Sequence, residues 1–331
     1  MRVARLFLLC ALSVCLVTEA AASVTLVEDR LDLDALLWAN VSWMMSSKSG
    51  FGSPGFKFYR RGAFVGLTGK VTSYASMRLY IDAGSLWQNP ALDVYADFAW
   101  QNGIGLRAGQ FKCPLGFEAM TEDRDLRMIE YSVVKRYWKP ADQRDVGVLL
   151  TYTRSGVDAA VAVVNGNGRG AGFKDENNSK DASVRFALAP WREGGPEFAV
   201  RGYVGRWKAA SLPYYSGAVE FRLLRGPLQI VTEAQYAKVQ FNENAALLGR
   251  TSFYVQASYD FGLLEPVGRV QMEDESDDKY ELGLTGGVTV RLVGDWLKLA
   301  VQYDYFRKEA VVYPQLAGTE QGLLWQLQAA I

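Results

Sequence analysis

Strict alternation of apolar and polar residues recurs along almost the whole chain and constrains its fold more than any other feature. Successive side chains of a strand point to opposite faces, so a two-residue period marks a sheet with two chemically different surfaces. Ala75, Met77, Leu79 and Ile81 alternate with Ser76, Arg78, Tyr80 and Asp82. Leu92, Val94, Ala96, Phe98 and Trp100 alternate with Asp93, Tyr95 and Asp97. Phe253 to Phe261 and Leu297 to Tyr305 repeat the pattern against Tyr254, Gln256, Ser258, Asp260 and against Lys298, Ala300, Gln302, Asp304.

The pattern predicts sixteen strands, at 35–46, 61–72, 74–83, 92–100, 104–112, 146–153, 157–165, 182–189, 197–206, 214–223, 227–239, 251–261, 263–272, 279–291, 296–307 and 321–331. Many have the roughly 9 to 11 residues that a tilted strand needs to cross a bilayer. Connections after even-numbered segments are short, such as Ser73 or Gly262, with Pro190 to Pro196 the longest, whereas those after odd-numbered segments run longer, up to 113–145. Short turns at one end and long loops at the other are the pattern of an outer-membrane barrel with periplasmic turns and extracellular loops. An even strand number returns both termini to the periplasm. After the first 22 residues there is no run of 18 apolar residues, which excludes a helical span. A secreted β-sandwich also alternates, but its strands average about 5 to 6 residues. Alternation alone does not separate the two; strand length, count and loop asymmetry favour an all-β, 16-stranded antiparallel transmembrane β-barrel.

Residues 1–22 read as a signal peptide. Arg2 and Arg5 precede the apolar run Leu6 to Val17, and Ala20-Ala21-Ala22 offers a small-x-small cleavage site. Residues 23–331 then form a single barrel domain. Of the three cysteines only Cys113 lies beyond the leader, so the mature chain has no internal disulfide.

Composition narrows the function. The 36 basic and 36 acidic residues balance, which argues against a nucleic-acid partner. The chain has no histidine, which removes Ser-His-Asp and Cys-His nucleophile pairs and His-ligated zinc. No catalytic residue, metal or cofactor is called for. A barrel enzyme limited to carboxylate chemistry and a secreted binding or adhesion protein remain as alternatives.

Four blocks carry a family resemblance: Arg60-Arg61-Gly-Ala-Phe-Val-Gly-Leu-Thr-Gly69-Lys70, Arg107-Ala-Gly-Gln-Phe-Lys112-Cys-Pro114-Leu-Gly116-Phe-Glu118, Arg144-Asp145-Val-Gly147-Val and Asn165-Gly-Asn-Gly168. In order and spacing they resemble the phosphate-selective porin O and P family, and Leu264 to Arg269 resembles a later strand. The resemblance implies a trimeric outer-membrane channel for small hydrophilic or anionic solutes, with the third loop, 113–145, folded inward as a constriction. It also implies an anion-guiding role for basic residues on the lumenal face and in that loop. The candidates are Arg78, Arg107, Lys112, Arg185, Arg201 and Arg269 on strands, and Arg124, Arg127, Lys135, Arg136, Lys139 and Arg144 in the loop.

Asp82, Asp93, Asp97, Glu220, Glu233, Glu265 and Asp304 occupy comparable faces. A mixed lumen largely cancels beyond a Debye length of about 8 to 10 Å, so most lumenal arginines are expected to pair with a carboxylate on a neighbouring strand. Lys112, Lys135, Arg136 and Lys139 are expected to cluster near the constriction. Trp43, Trp100, Trp296 and Tyr305 are expected in the interfacial girdles, against outer-membrane lipid. Gly166 to Ala171 loosely matches a dinucleotide fingerprint but lacks a following helix, so it reads as an extracellular loop. The acidic run Glu273 to Asp278 reads as a solvated loop.

Overall fold

Each of the sixteen alternating segments is a strand in the structure, a computed structural model. It describes residues 24–27, 30–46, 55–85, 89–136, 143–169, 178–191, 194–207, 212–240, 247–275, 279–310 and 318–331. The proposed leader lies outside them. A short strand that alternation did not reveal, β1 (Val24–Val27), precedes the sixteen. These are β2 (Leu31–Ser46), β3 (Gly55–Lys70), β4 (Ala75–Asp82), β5 (Ala91–Ala99), β6 (Ile104–Lys112), β7 (Arg144–Arg154), β8 (Val157–Val164) and β9 (Asp181–Leu188). Then follow β10 (Pro196–Trp207), β11 (Leu212–Arg225), β12 (Leu228–Val239), β13 (Leu248–Tyr259), β14 (Leu264–Glu275), β15 (Lys279–Val293), β16 (Leu297–Ala310) and β17 (Gly318–Ala330).

From β2 to β17 each strand pairs antiparallel with the next, and β17 pairs back onto β2 through Leu327↔Ala39 and Ala330↔Leu36. Closure removes the unpaired sheet edges that a bilayer would not tolerate. β1 pairs with the start of β2, Val24 opposite Leu33.

The two faces decide between barrel and sandwich. Val148, Leu150, Val184, Val200 and Val219 are exposed on the outer face, while inward Arg185, Arg201, Glu220 and Arg269 are buried. Charge inside and apolar residues outside is the order of a membrane barrel.

Two boundaries differ from expectation for identifiable reasons. β3 begins at Gly55, six residues before the expected 61. In its register with β2, Trp38 faces Gly62 and Ala39 faces Arg60, leaving Arg61 as a bulge. The bulge inverts the phase, so Phe56 and Phe58 point outward although Phe64, also even-numbered, is only partly exposed; a single period therefore breaks at 61. β14 runs on to Glu275, so the first half of the acidic run is strand rather than loop, with Glu273 and Glu275 both paired to Arg250. A two-residue turn joins β7 to β8 through Ser155 and Gly156, both at positive φ (55° and 80°). That is the backbone a two-residue hairpin requires, and a Cβ on Gly156 would sit 2.3 Å from the Ala189 carbonyl.

Candidate functional site

The connection from β6 to β7 enters the barrel. Its stems are joined where the Cys113 N–H donates to the Gln143 carbonyl at 2.7 Å. Between them lie helical turns at Phe117–Met120, Asp123–Asp125 and Val133–Arg136. Phe111, Cys113, Leu115 and Ala119 pack on inward Leu149, Ala162, Val164, Tyr203, Tyr214, Ala237 and Val239, so the start of the loop has its own apolar core inside the barrel. Burial, with Asp145 and Asp181 nearby, pushes the Cys113 thiol well up and keeps it protonated. Gly116, at φ 116°, sits against the wall where a Cβ would lie 2.2 Å from a Glu233 carboxylate oxygen.

An irregular loop brings unpaired backbone groups into the lumen, and each needs a partner. Wall side chains supply them. Glu233 Oε1 accepts the Glu118 N–H at 2.9 Å, Gln302 Oε1 the Ile129 N–H at 2.7 Å and Gln271 Oε1 the Val133 N–H at 2.9 Å. Gln328 Nε2 donates to the Arg124 carbonyl at 3.0 Å, and Arg269 Nη2 to the Glu130 carbonyl at 2.7 Å. The loop is thus held by β12, β14, β16 and β17. Sequence reading concentrated on charge and missed the three glutamines, although their inward phase was legible from the alternation.

The basic candidates are mostly neutralised. Arg78 pairs with Asp34 at 3.4 Å, Arg107 with Asp97 at 3.0 Å, Arg127 with Glu265 at 2.8 Å and Arg144 with Asp93 at 2.9 Å. Arg185 pairs with Glu220 at 2.9 Å and Glu197 at 3.1 Å, Arg201 with Glu220 at 3.1 Å, and Arg269 with Glu118 at 3.1 Å. Lys112 lies 3.8 Å from Glu122 and donates to the Thr121 carbonyl, and Arg124 lies 4.0 Å from its neighbour Asp125. The expected neutralisation therefore occurs, but often by another geometry. Arg185 stands directly opposite Arg201, and Glu220 directly opposite Glu233, arrangements that like charges disfavour. The network resolves this by reaching over a strand, from Arg185 on β9 to Glu220 on β11 and from Arg201 on β10 to Glu233 on β12 at 3.5 Å. Phe117 fills the space beside it, its ring 4.8 Å from the guanidinium carbons of both Arg185 and Arg222.

Lys135 differs. Among the described residues it has no ion pair, and its ammonium lies 3.4 Å from the centre of the Tyr131 ring. Burial pushes it down to about 7, against the attraction of Asp123 and Glu118 and with the repulsion of Lys112 and Arg144. Burial alone would raise the Asp123 carboxyl, but Lys112, Arg144 and Lys135, with the Tyr131 hydroxyl 2.9 Å away, bring it below its ordinary value. Lys112 and Lys135 thus both act on one aspartate. The Arg136 side chain and Lys139 lie outside the described residues.

A cavity of about 260 Å³ lies between part of the loop and β5–β8, lined by Tyr95, Asp97, Arg107, Lys112, Met120 and Glu122 among others. The glycine-rich Asn165 to Gly168 is a loop, as expected, and its amides are already engaged: Asp145 Oδ2 accepts N–H bonds from Gly166 at 2.7 Å and Gly168 at 3.2 Å. Two of the four blocks in the resemblance are therefore physical partners, a carboxylate standing where a phosphate would.

A family model described as phosphate-selective porin O and P matches residues 50–218. No curated protein matches the chain. Among solved structures, an anion-selective porin from Comamonas acidovorans aligns at TM-score 0.70 and 12% identity, covering 91% of this chain and 99% of that one. The outer membrane protein OmpT of Vibrio cholerae, in its trimer form, aligns at 0.67 and 10% identity over 91% and 99% of the two chains. The outer membrane channel DcaP of Acinetobacter baumannii aligns at 0.65 and 12% identity over 92% and 99%. At these identities the likeness is one of fold.

Proposed function

The chain belongs to the phosphate-selective porin O and P family, an outer-membrane channel by family and fold, and on that premise we propose a trimeric, non-catalytic diffusion pore with a mild anion preference set by its inward loop. In this reading residues 1–22 direct export and are removed, and loop 113–145 narrows the channel. Small hydrophilic solutes pass, phosphate among the anions.

One observation carries the selectivity. The described lumenal arginines are each held by a carboxylate, whereas Lys135 of the loop has no ion pair among the described residues. Paired charges give little net field beyond a Debye length, and a single lysine gives a weak one. The trimer is supported by the Vibrio cholerae OmpT structure, and export by the charged and apolar regions of the leader.

Reversal potentials in planar bilayers test the reading. Across a potassium chloride gradient chloride should permeate better than potassium, by less than the roughly tenfold at which a single-sign cleft begins to act. Lys135→Met should bring the ratio close to one. A potassium preference, or a chloride preference unaltered in that variant, would remove the loop as the filter.

A further inference from the structure

We propose that the cavity between the loop and β5–β8 is a transit site for small zwitterions, molecules carrying one ammonium and one carboxylate, such as α-amino acids. The inference rests on the channel reading above and names a solute class for it.

The cavity has one charge pair within its wall and a second that joins the wall to the loop. On the wall, Arg107 pairs with Asp97 at 3.0 Å and lies over Tyr95, its guanidinium carbon 4.0 Å from the ring centre. Between wall and loop, Lys112 at the end of β6 and Glu122 of the loop are 3.8 Å apart. These pairs are unlike those that anchor the loop. Lys112 is largely covered, at 10%, but the Arg107 and Asp97 side chains are 28% and 31% exposed and Glu122 is 44% exposed, against 0% for Arg269 and 2% for Arg201. Arg107, Asp97 and Glu122 are therefore open to exchange with a solute.

Charge arithmetic then selects the visitor. A simple anion or cation meets walls whose local charge is already balanced, so each favourable contact brings an unfavourable one. A zwitterion can lay its carboxylate on Arg107 and its ammonium on Glu122 and satisfy both ends. The contacts lie at a wet surface, where each such pair is weak. That suits a channel, since binding must be strong enough to admit and weak enough to release. Tyr95 and Met120 supply apolar surface for a small side chain.

Alanine and lactamide test this cleanly, because they are isomers of which only alanine is a zwitterion at neutral pH. In swelling of proteoliposomes containing the whole protein, alanine should permeate about fivefold faster than lactamide, the gain from two weak exposed contacts. In the double variant Arg107→Gln/Glu122→Gln the alanine-to-lactamide ratio should fall to about one, with chloride conductance in planar bilayers certifying a folded channel. A wild-type ratio of one or below overturns the inference while leaving the channel intact. So does a fivefold ratio that survives in a conducting double variant. Failure of both isomers to enter would instead overturn the channel reading itself.

Discussion

On β14, Arg269 is fully buried, bonded to Glu118 and to the Glu130 carbonyl of the loop; on β6, Arg107 makes a similar bond to Asp97 yet stays 28% exposed beside open space. Both residues face inward at the same strand phase. What separates them is whether the loop lies on them. β12, β14, β16 and β17 carry the glutamines, Glu233 and Arg269 that bind it, and they are 12 to 14 residues long. β4, β5, β6, β8 and β9 are 8 or 9 residues long, close to the least that crosses a bilayer. One wall thus holds the loop through polar bonds, while the other touches it at the apolar core on β7 and β8 and otherwise faces the open cavity. The same arginine chemistry cements one and lines the other.

Removing an arginine from each wall tests that division. Arg269→Met strands the Glu118 carboxylate in a buried site, and breaking such a pair from one side costs about 3 to 5 kcal/mol. The loop should loosen, raising single-channel conductance and open-channel noise. Conductance equal to wild type would mean the apolar core around Leu115 holds the loop unaided.

A smaller effect is expected from pH. Lys135 has its ammonium at about 7, below the ordinary 10.5. Its charge is present below that value and lost above it, so the chloride-to-potassium permeability ratio should rise as pH falls from 8 to 6. Because the folded value is the lower one, its contribution to stability increases with pH from about 7 to 10.5. With no histidine in the chain, a step near neutrality needs a shifted group, and Lys135→Met should flatten it. A step that persists in the variant assigns it elsewhere.

The smallest change belongs to the open wall. Arg107→Met leaves Asp97 with access to water, so the loss of their exposed pair should cost less than about 1 kcal/mol. The temperature at which the folded gel band converts to the unfolded one should barely move. A drop as large as that of Arg269→Met would erase the difference between the walls.

Much of this was legible beforehand, for local reasons. A strand's period is carried by adjacent residues, so Met77, Leu79 and Val94 announced the lipid face and Arg78 and Asp97 the lumen. The Asp97–Arg107 pair was within reach too, since the two stand opposite each other in one hairpin. Alternation starts β3 only at 61 because the bulge at Arg61 breaks the period. The glutamines that bind the loop were passed over because a neutral amide announces no chemistry until a backbone group is placed against it.

The sequence by itself determined the sixteen strands of the ring, which side chains look inward, and that one connection is far longer than the rest. Tertiary structure decided which inward charges are spent and which stay available. Glu118 and Arg269 are 151 residues apart, and Arg124 and Gln328 are 204 apart. Neither contact follows from any local period; both exist only once the barrel closes and the loop crosses its lumen. Charge and face are properties of a residue and its neighbours along the chain, whereas neutralisation depends on distances set by the whole ring of strands.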